Sequence, residues 1–91
     1  MQQRASVSIA MATCEGARHV GEQLASIARQ SRLPDELVVC DDASSDATPA
    51  LVEAFSRTAP FAVRLVRNPR RLGITGNFEQ AVRLRSGDLL L

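Results

Sequence analysis

The clearest candidate for chemistry in this chain is a pair of adjacent carboxylates, Asp41 and Asp42, which directly follows the apolar run at residues 37–40. A turn rich in Ser, Asp and Thr comes next, at residues 43–49. Carboxylates at the end of a buried strand can accept hydrogen bonds from ribose hydroxyls or from the N–H of a base, and open α/β sheets bind ligands at that edge. In the alternative interpretation, these Asp and Ser side chains only satisfy nearby backbone groups of the turn.

A second candidate segment lies at residues 12–16, where the first predicted strand ends. If the first two strands are neighbours, this segment lies beside the two aspartates. The Thr13 hydroxyl and the local backbone can then hydrogen-bond a base, while Glu15 can reach a ribose or cap the following helix. An ordinary strand-to-helix turn is an alternative that explains the same residues equally well.

A third candidate segment is the polar loop at residues 68–74 and the start of the helix after it. Arg70 and Arg71 can pair with the phosphates of a ligand, although a solvated loop with two exposed arginines is the alternative. Gly73 lets the backbone turn sharply before the helix. Asn77, in the first turn of that helix, is predicted to face the same crevice as the two aspartates.

The elements that position these segments follow the order β-α-β-α-β-α-β. Apolar patterning predicts strands at residues 6–12, 36–41, 61–67 and 88–91, a helix at residues 16–30, a second helix capped by Thr48, and a third that begins at Thr75 and stops at Gly87. This order implies right-handed crossovers and a mainly parallel open sheet. The fold class is therefore α/β, with the third strand expected near an edge.

Composition and charge exclude several classes of protein. The 91-residue chain suits one small domain, and its 11 basic and 10 acidic residues argue against a dedicated nucleic-acid or polybasic membrane binder. No apolar run approaches the ~20 residues of a membrane span, and residues 1–4 lead into a strand without the apolar region of a signal peptide. We therefore predict a cytoplasmic location, where Cys14 and Cys40 are reduced. The two thiols can touch if the first two strands are neighbours, and the sequence does not decide this. Their spacing in the sequence is not that of a metal site.

Two other nucleotide-binding families fit the pattern poorly. A dinucleotide-binding Rossmann unit needs GxGxxG after its first strand, whereas only Gly16 and Gly21 occur in this region. Glu15 in that turn would repel a pyrophosphate. Receiver-type phosphoacceptor domains carry their acidic pair after the first strand, whereas the pair in this chain follows the second.

Several ordered motifs together resemble the opening of a family 2 glycosyltransferase. They lie at residues 7–13, 22–27, 37–48, 68–81 and 87–88 and so cover almost the whole chain. The pattern is most similar to the bacterial subgroup often called rhamnosyltransferase-like, which builds cell-surface polysaccharide.

The resemblance implies a GT-A (Rossmann-like) fold, a nucleotide-diphospho-sugar donor, a divalent metal (Mg or Mn), inversion at the anomeric carbon and a saccharide or lipid-linked acceptor. It also implies work in the cytoplasm, at the inner face of the plasma membrane in the full-length protein. Carried over by position, the nucleotide-sugar site would comprise Ala12, Thr13, Cys14 and Glu15 against the nucleoside, Asp42 on the base, Asp41 supporting it, and Gly73 and Asn77 at the border of the donor site.

The chain departs from the family pattern at two places. The family usually has Tyr-Asn where Cys14-Glu15 stands, so a ring that often stacks on the base is missing. The family's acidic metal-binding motif normally follows the fourth strand, beyond Leu91, and the catalytic base and acceptor site come later still. Residues 1–91 are thus predicted to be one partial domain that transfers no sugar alone. There are two alternatives. The chain is a non-catalytic nucleotide-binding or interaction module, or it is the product of a truncated reading frame and never folds alone.

Overall fold

The computed structural model describes residues 6–89, which form a four-stranded sheet with helices on both faces. The elements in chain order are β1 (Val7–Thr13), α1 (Val20–Ala28), β2 (Glu36–Asp41), α2 (Thr48–Ser56), β3 (Ala62–Arg67), α3 (Ile74–Leu84) and β4 (Asp88–Leu89). The strand order is β3-β2-β1-β4, and every adjacent pair is parallel. The predicted α/β fold with a mainly parallel sheet is confirmed, as is the edge position of β3.

The central strand β2 is buried at all six of its residues, since helices cover both faces of the sheet. Leu37 and Val39 point to one face, where they belong to the core formed with α1 and α2. Val38 and Cys40 point to the other face and pack with Ala81 of α3. A strand buried on both sides carries a continuous apolar run rather than an alternating one, which is why this segment was recognisable from sequence.

The first helix is shorter than predicted. It begins at Val20 rather than at residue 16 and ends at Ala28. The backbone carbonyl of Gly16 accepts hydrogen bonds from the N–H groups of His19 and Val20, at 3.0 and 2.9 Å, so the chain forms a turn before the helix starts. The N–H groups of Gly16 and Ala17 bond to side chains of the residue 43–49 turn, which holds residues 14–19 outside the helix.

The predicted caps of the other two helices were wrong. Ala47, not Thr48, stands at the cap position of α2, and the carboxylate of Asp46 accepts the Thr48 N–H at 2.9 Å. Gly73, not Thr75, stands at the cap position of α3, in a positive-φ conformation of 87° that favours glycine. A hydroxyl before a helical pattern is a common cap, but here the Thr48 hydroxyl donates to Asp46 and accepts from Gly16 instead.

The chain between α3 and β4 is tied to the sheet by the buried carboxylate of Glu36. Its Oε2 atom accepts hydrogen bonds from Ser8 Oγ at 2.7 Å and from Ser86 N and Oγ at 2.9 and 2.7 Å. Burial raises the pKa of Glu36, but these hydrogen bonds outweigh it and the net pKa is lowered. β4 then pairs with β1 through Asp88 and Leu89; the predicted continuation at residues 90–91 lies outside the described residues.

The sequence predicted that Gly87 ends the third helix, and this prediction was wrong. Gly87 instead permits the backbone at residue 87 to lie close to the backbone of Ser6. Helix α3 already ends at Leu84, and Arg85 after it is extended. A Cβ atom on Gly87 would lie 2.9 Å from both the backbone C and O atoms of Ser6, which is inside van der Waals contact. The Gly87 N–H also donates to Ser8 Oγ at 2.9 Å. Glycine is therefore required here by space.

Replacing Gly87 with alanine is expected to lower the free energy of unfolding by about 1–3 kcal/mol, because the added methyl group overpacks against backbone. The control is Gly21→Ala in α1, where a Cβ atom meets nothing within 4 Å. That change is expected to leave stability unchanged or raise it by up to about 1 kcal/mol through helix propensity. Urea unfolding followed by circular dichroism measures both. Equal stability of the two variants would show that the Ser6 contact is easily relieved.

Candidate functional site

The carboxyl ends of β1 and β2 lie side by side, as the sequence predicted. Thr13 pairs with Asp41 in the parallel register, and the Asp42 N–H donates to the Thr13 carbonyl at 2.8 Å. The Asn68 N–H extends the same edge by donating to the Asp41 carbonyl at 2.8 Å. Three segments that follow strands therefore meet at one edge, where ligands of open α/β sheets bind.

A cleft of about 470 Å³ opens at this edge. Its lining residues are Ala12, Thr13, Cys14, Asp42, Arg71, Gly73, Ile74 and Asn77. Six of these residues belong to the predicted nucleotide-sugar site, and Arg71 was a candidate for phosphate binding. Ile74 was not predicted, while Glu15 and Asp41 are not part of the lining. Ile74 is 88% exposed and gives the rim an apolar character. The cleft therefore combines a carboxylate, a guanidinium and an apolar edge.

Asp42 is the acidic residue that lines the cleft, and its carboxylate accepts three hydrogen bonds from the loop that follows β3. Oδ1 accepts from Asn68 Nδ2 at 3.0 Å and from Leu72 N at 2.7 Å, whereas Oδ2 accepts from Gly73 N at 3.0 Å. The hydrogen bond from Leu72 N lowers the pKa of Asp42 most; burial opposes it, while Asn68, Gly73 and the Arg71 charge add to the lowering. Asp42 is thus held as a carboxylate.

The three hydrogen bonds leave one acceptor position on Asp42. A carboxylate has about four lone-pair sites, two on each oxygen. Oδ1 uses both of its sites on Asn68 and Leu72, while Oδ2 uses one on Gly73. The unused lone-pair site is on Oδ2, and it suits an N–H or O–H donor of a ligand that reaches this residue, which is 3% exposed, from the cleft.

The Asp41 carboxylate is engaged by the end of β1 and by the turn after β2. The residue is 1% exposed. Oδ1 accepts hydrogen bonds from Thr13 Oγ1 and Ser44 Oγ, both at 2.7 Å, and Oδ2 accepts from Ser44 N at 2.9 Å. The carboxylate joins the end of β1 to the turn after β2, so it supports the wall of the cleft from behind.

Glu15 fastens two loops together instead of lining the cleft. Its Oε2 atom accepts from Ser45 N at 2.7 Å and from Arg71 Nη2 at 2.9 Å. Arg71, a candidate for phosphate binding, is thus paired with a carboxylate at the cleft mouth. Glu15 and Ala43 both have positive φ, 49° and 57°, a conformation that costs a residue with a Cβ about 1–2 kcal/mol. The hydrogen bonds between the loops hold these residues there.

Side chains of the turn at residues 43–49 accept hydrogen bonds from backbone N–H groups of the loop between β1 and α1. Ser44 Oγ accepts the Glu15 N–H at 2.7 Å, and Thr48 Oγ1 accepts the Gly16 N–H at 2.9 Å. Asp46 Oδ2 accepts the Ala17 N–H at 3.1 Å, and hydrogen bonds, chiefly from the Thr48 hydroxyl, lower the pKa of Asp46. The Ser, Asp and Thr side chains of the turn therefore position one wall of the cleft.

Asn77 and Asn68 form a buried amide pair behind Asp42. Asn77 Nδ2 donates to the carbonyls of Cys40 at 2.8 Å and Thr13 at 3.3 Å, and its Oδ1 accepts from Asn68 Nδ2 at 2.9 Å. Asn77 was predicted to face the site, but Asn68 was missed. The available signal was its position directly after β3, at the same sheet edge as the two aspartates.

Comparison with known proteins identifies the family. The model of the family described as "Glycosyl transferase family 2" matches residues 8–91. The chain belongs to glycosyl transferase family 2. The family predicted from the sequence motifs is therefore confirmed.

Solved structures with the same fold include a mannosyltransferase and a protein crystallised with UDP. A mannosyltransferase from Pyrobaculum calidifontis, PcManGT, in complex with GDP-Man and Mn²⁺, is similar with a TM-score of 0.81 and 32% identity over 93% of this chain. TarS of S. aureus in complex with UDP has a TM-score of 0.81 and 26% identity over 93% of this chain. An uncharacterized protein of Mycobacterium tuberculosis is 29% identical over 63 residues, 69% of this chain. This chain spans 26% of each structure and 18% of the mycobacterial protein.

Cys14 of this glycosyl transferase family 2 chain lies in the turn after β1. Its thiol lines the cleft and donates to the Asp42 carbonyl at 3.6 Å. Cys40 is buried against Val38 and Ala81, and burial raises the pKa of its thiol. Both cysteines are free thiols.

The described residues of this family 2 chain do not fit a divalent metal site. A metal ion needs several oxygen, nitrogen or sulfur ligands grouped around one point. Within residues 6–89 no three His, Cys, Asp or Glu side chains are grouped in a way that could hold an ion, and Asp42 is already engaged by three N–H donors. In the same residues, no helix combines the length and the apolar character needed to cross a membrane.

Proposed function

We propose that this chain is the nucleotide-sugar-binding part of a glycosyltransferase that transfers a sugar from a nucleotide-diphospho-sugar to an acceptor. Membership of glycosyl transferase family 2 supports the reaction class. The observation that carries the site assignment is the ionised carboxylate of Asp42, which lines the cleft with one acceptor position left. That position suits the ring N–H of a base.

The acceptor position on Asp42 restricts the base. Uracil and thymine present N3–H and guanine presents N1–H, whereas cytosine and adenine have an acceptor nitrogen at the equivalent ring position. The two similar structures were solved with GDP-Man and with UDP, whose bases both carry such a ring N–H. We therefore propose a uracil, thymine or guanine nucleotide as donor carrier.

The finer assignments of the proposal come from the motif resemblance. We assign the protein to the rhamnosyltransferase-like subgroup, with a saccharide or lipid-linked acceptor in cell-surface polysaccharide synthesis. The place of work is the cytoplasm, at the inner face of the plasma membrane. In the complete enzyme a carboxylate takes the proton of the acceptor hydroxyl. The acceptor oxygen then bonds to the anomeric carbon of the donor sugar as the nucleoside diphosphate leaves, with inversion. We propose that the longer protein binds Mg²⁺ or Mn²⁺. Residues 6–89 are given no role in binding that ion.

Titration of the ¹⁵N-labelled 91-residue chain with UDP, dTDP, GDP and CDP tests the proposal. We expect weak binding, with a dissociation constant of about 1 mM, and shifts of the backbone amides of Thr13, Asp42 and Gly73. CDP should bind about tenfold more weakly than the best of the other three, because cytosine has an acceptor at ring position N3, where the other bases present an N–H to Asp42. Without ligands for a metal, the chain should transfer no sugar.

The outcome of the titration separates the proposal from its alternatives. Equal binding of CDP and UDP, or shifts confined to residues away from the cleft, would contradict the base assignment. Metal-dependent sugar transfer by the purified chain would show that its site is more complete than a nucleotide-binding part. A cooperative thermal melt, recorded first by circular dichroism, shows that the chain folds alone.

A further inference from the structure

Asn68 is a buried residue at the start of the loop that forms one wall of the cleft, and it does not line the cleft itself. It is 6% exposed. Its Nδ2 atom donates to Asp42 Oδ1 at 3.0 Å and to Asn77 Oδ1 at 2.9 Å. One amide nitrogen thus joins the carboxylate of the site to the first turn of α3.

The orientation of the Asn68 amide is determined by its partners. Asn77 Nδ2 faces the carbonyl oxygens of Thr13 and Cys40, so the Asn77 NH₂ group must lie there and its oxygen must face Asn68. Asn68 then meets two acceptors, the Asn77 oxygen and the Asp42 carboxylate. Only an NH₂ group satisfies both, so a flipped amide is excluded.

This orientation has a consequence for Asp42. The hydrogen bond from Asn68, together with the one from Leu72 N, uses both lone-pair sites of Oδ1. The plane of the carboxylate is held by three donors together, Asn68 and Leu72 on Oδ1 and Gly73 on Oδ2. Without Asn68, the N–H groups of Leu72 and Gly73 still hold the two oxygens. Each oxygen then has a free site, so a ligand N–H can be accepted at either one.

We propose that Asn68 is a positioning residue that makes Oδ2 of Asp42 the oxygen offered to the donor base. The inference rests on the proposed function, because it takes a base N–H as the ligand of Asp42. Asn68 acts through Asp42 and touches no ligand. Its loss should therefore weaken only binding that uses the base N–H.

The test compares Asn68→Ala with the unchanged chain, using UDP and N3-methyl-UDP as probes, or GDP and N1-methyl-GDP where GDP binds better. Loss of the positioning hydrogen bond is expected to weaken binding of UDP about fivefold to tenfold. The methylated nucleotide has no ring N–H, so the variant and the unchanged chain should bind it equally. Gln23→Ala, an exposed amide on α1, is the control and should change neither affinity.

A second measurement needs no substitution. In the unchanged chain, the two side-chain N–H signals of Asn68 should be well separated and protected from exchange, since each hydrogen has its own acceptor. UDP should shift them, and N3-methyl-UDP should not. This measurement decides the question if Asn68→Ala does not fold.

The possible results distinguish the inference from the proposed function. If Asn68→Ala weakens both nucleotides equally, or neither, Asn68 has only a general structural role and the inference is overturned while the proposed function stands. Asn68 side-chain signals that exchange rapidly with water would overturn it as well. If the unchanged chain binds none of UDP, dTDP and GDP, the proposed function fails and the inference fails with it.

Discussion

Exchanging Asn77 for aspartate should lower the free energy of unfolding by about 3–5 kcal/mol at pH 7, the usual cost of a buried charge without a partner. The substitution keeps the shape of the side chain, which is 2% exposed. It places a carboxylate oxygen where Nδ2 now donates to the carbonyls of Thr13 and Cys40. Three oxygens then face one another without a hydrogen between them. Urea unfolding followed by circular dichroism measures the loss.

The loss should become smaller in acid. An aspartate in the unfolded chain titrates near about pH 3.9, and burial against carbonyl oxygens raises the pKa of the new carboxyl group in the folded chain. The folded state then binds the proton more tightly, so the variant gains stability relative to the unchanged chain as the pH falls from 7 to 4. A protonated carboxyl group can again donate to one of the two carbonyls.

The control for this experiment is Glu79→Gln, an exposed site on the same helix. It exchanges the same two chemical groups in the opposite direction and is expected to stay within about 0.5 kcal/mol of the unchanged chain. A deficit of Asn77→Asp that does not depend on pH would mean that the new carboxyl group has the same pKa in the folded and the unfolded chain, as a group in water has. Stability equal to that of the unchanged chain would show that the Asn77 amide donors contribute nothing.

The order of the elements and the edge of the sheet that carries the site were predictable from sequence. β2 was predicted with its observed bounds, Glu36–Asp41, because a strand buried on both faces shows itself as an apolar run. A parallel sheet with short connections then brings the ends of β1 and β2 together. The meeting of Thr13 and Asp42 in one cleft follows from those two facts alone.

The roles of individual polar side chains were harder to predict, because their partners are distant in sequence. The Thr48 hydroxyl was expected to cap its own helix but accepts the N–H of Gly16, 32 residues away. Arg71 was considered for phosphate binding and is paired with Glu15, 56 residues away. The local sequence indicates which nearby backbone groups a side chain can hydrogen-bond. The partner it actually has depends on which loops lie beside it in the folded chain.

The paired aspartates differ in the structure: Asp41 matches the interpretation as a turn residue, whereas Asp42 lines the cleft, as the ligand-binding interpretation requires. Asp41 bonds only within the protein, through the end of β1 and the turn after β2. Asp42 bonds to the protein as well but lines the cleft and keeps one acceptor position. Both side chains follow the same apolar run, so sequence could not separate their roles; adjacent residues at a strand end point in different directions.

Replacing Asp42 with asparagine should weaken binding of UDP by about 10–100-fold, since a hydrogen bond to a charged acceptor is lost. An amide has one oxygen, and three N–H donors now surround the carboxylate. The arrangement with the fewest conflicts keeps the oxygen at the Oδ1 position, between Asn68 and Leu72. The NH₂ group then occupies the Oδ2 position and meets the N–H of the base, donor against donor.

The same geometry predicts a change of base preference. An NH₂ group at the Oδ2 position suits N3 of cytosine, which accepts a hydrogen bond, so Asp42→Asn should lose much less affinity for CDP than for UDP. Titration with the two nucleotides measures the ratio of their dissociation constants. Glu53→Gln, which removes an exposed charge on α2, is the control and should leave that ratio unchanged. A parallel loss of affinity for UDP and CDP would mean that Asp42 shapes the cleft without contacting the base. An unchanged affinity for UDP would place the nucleotide elsewhere on the molecule.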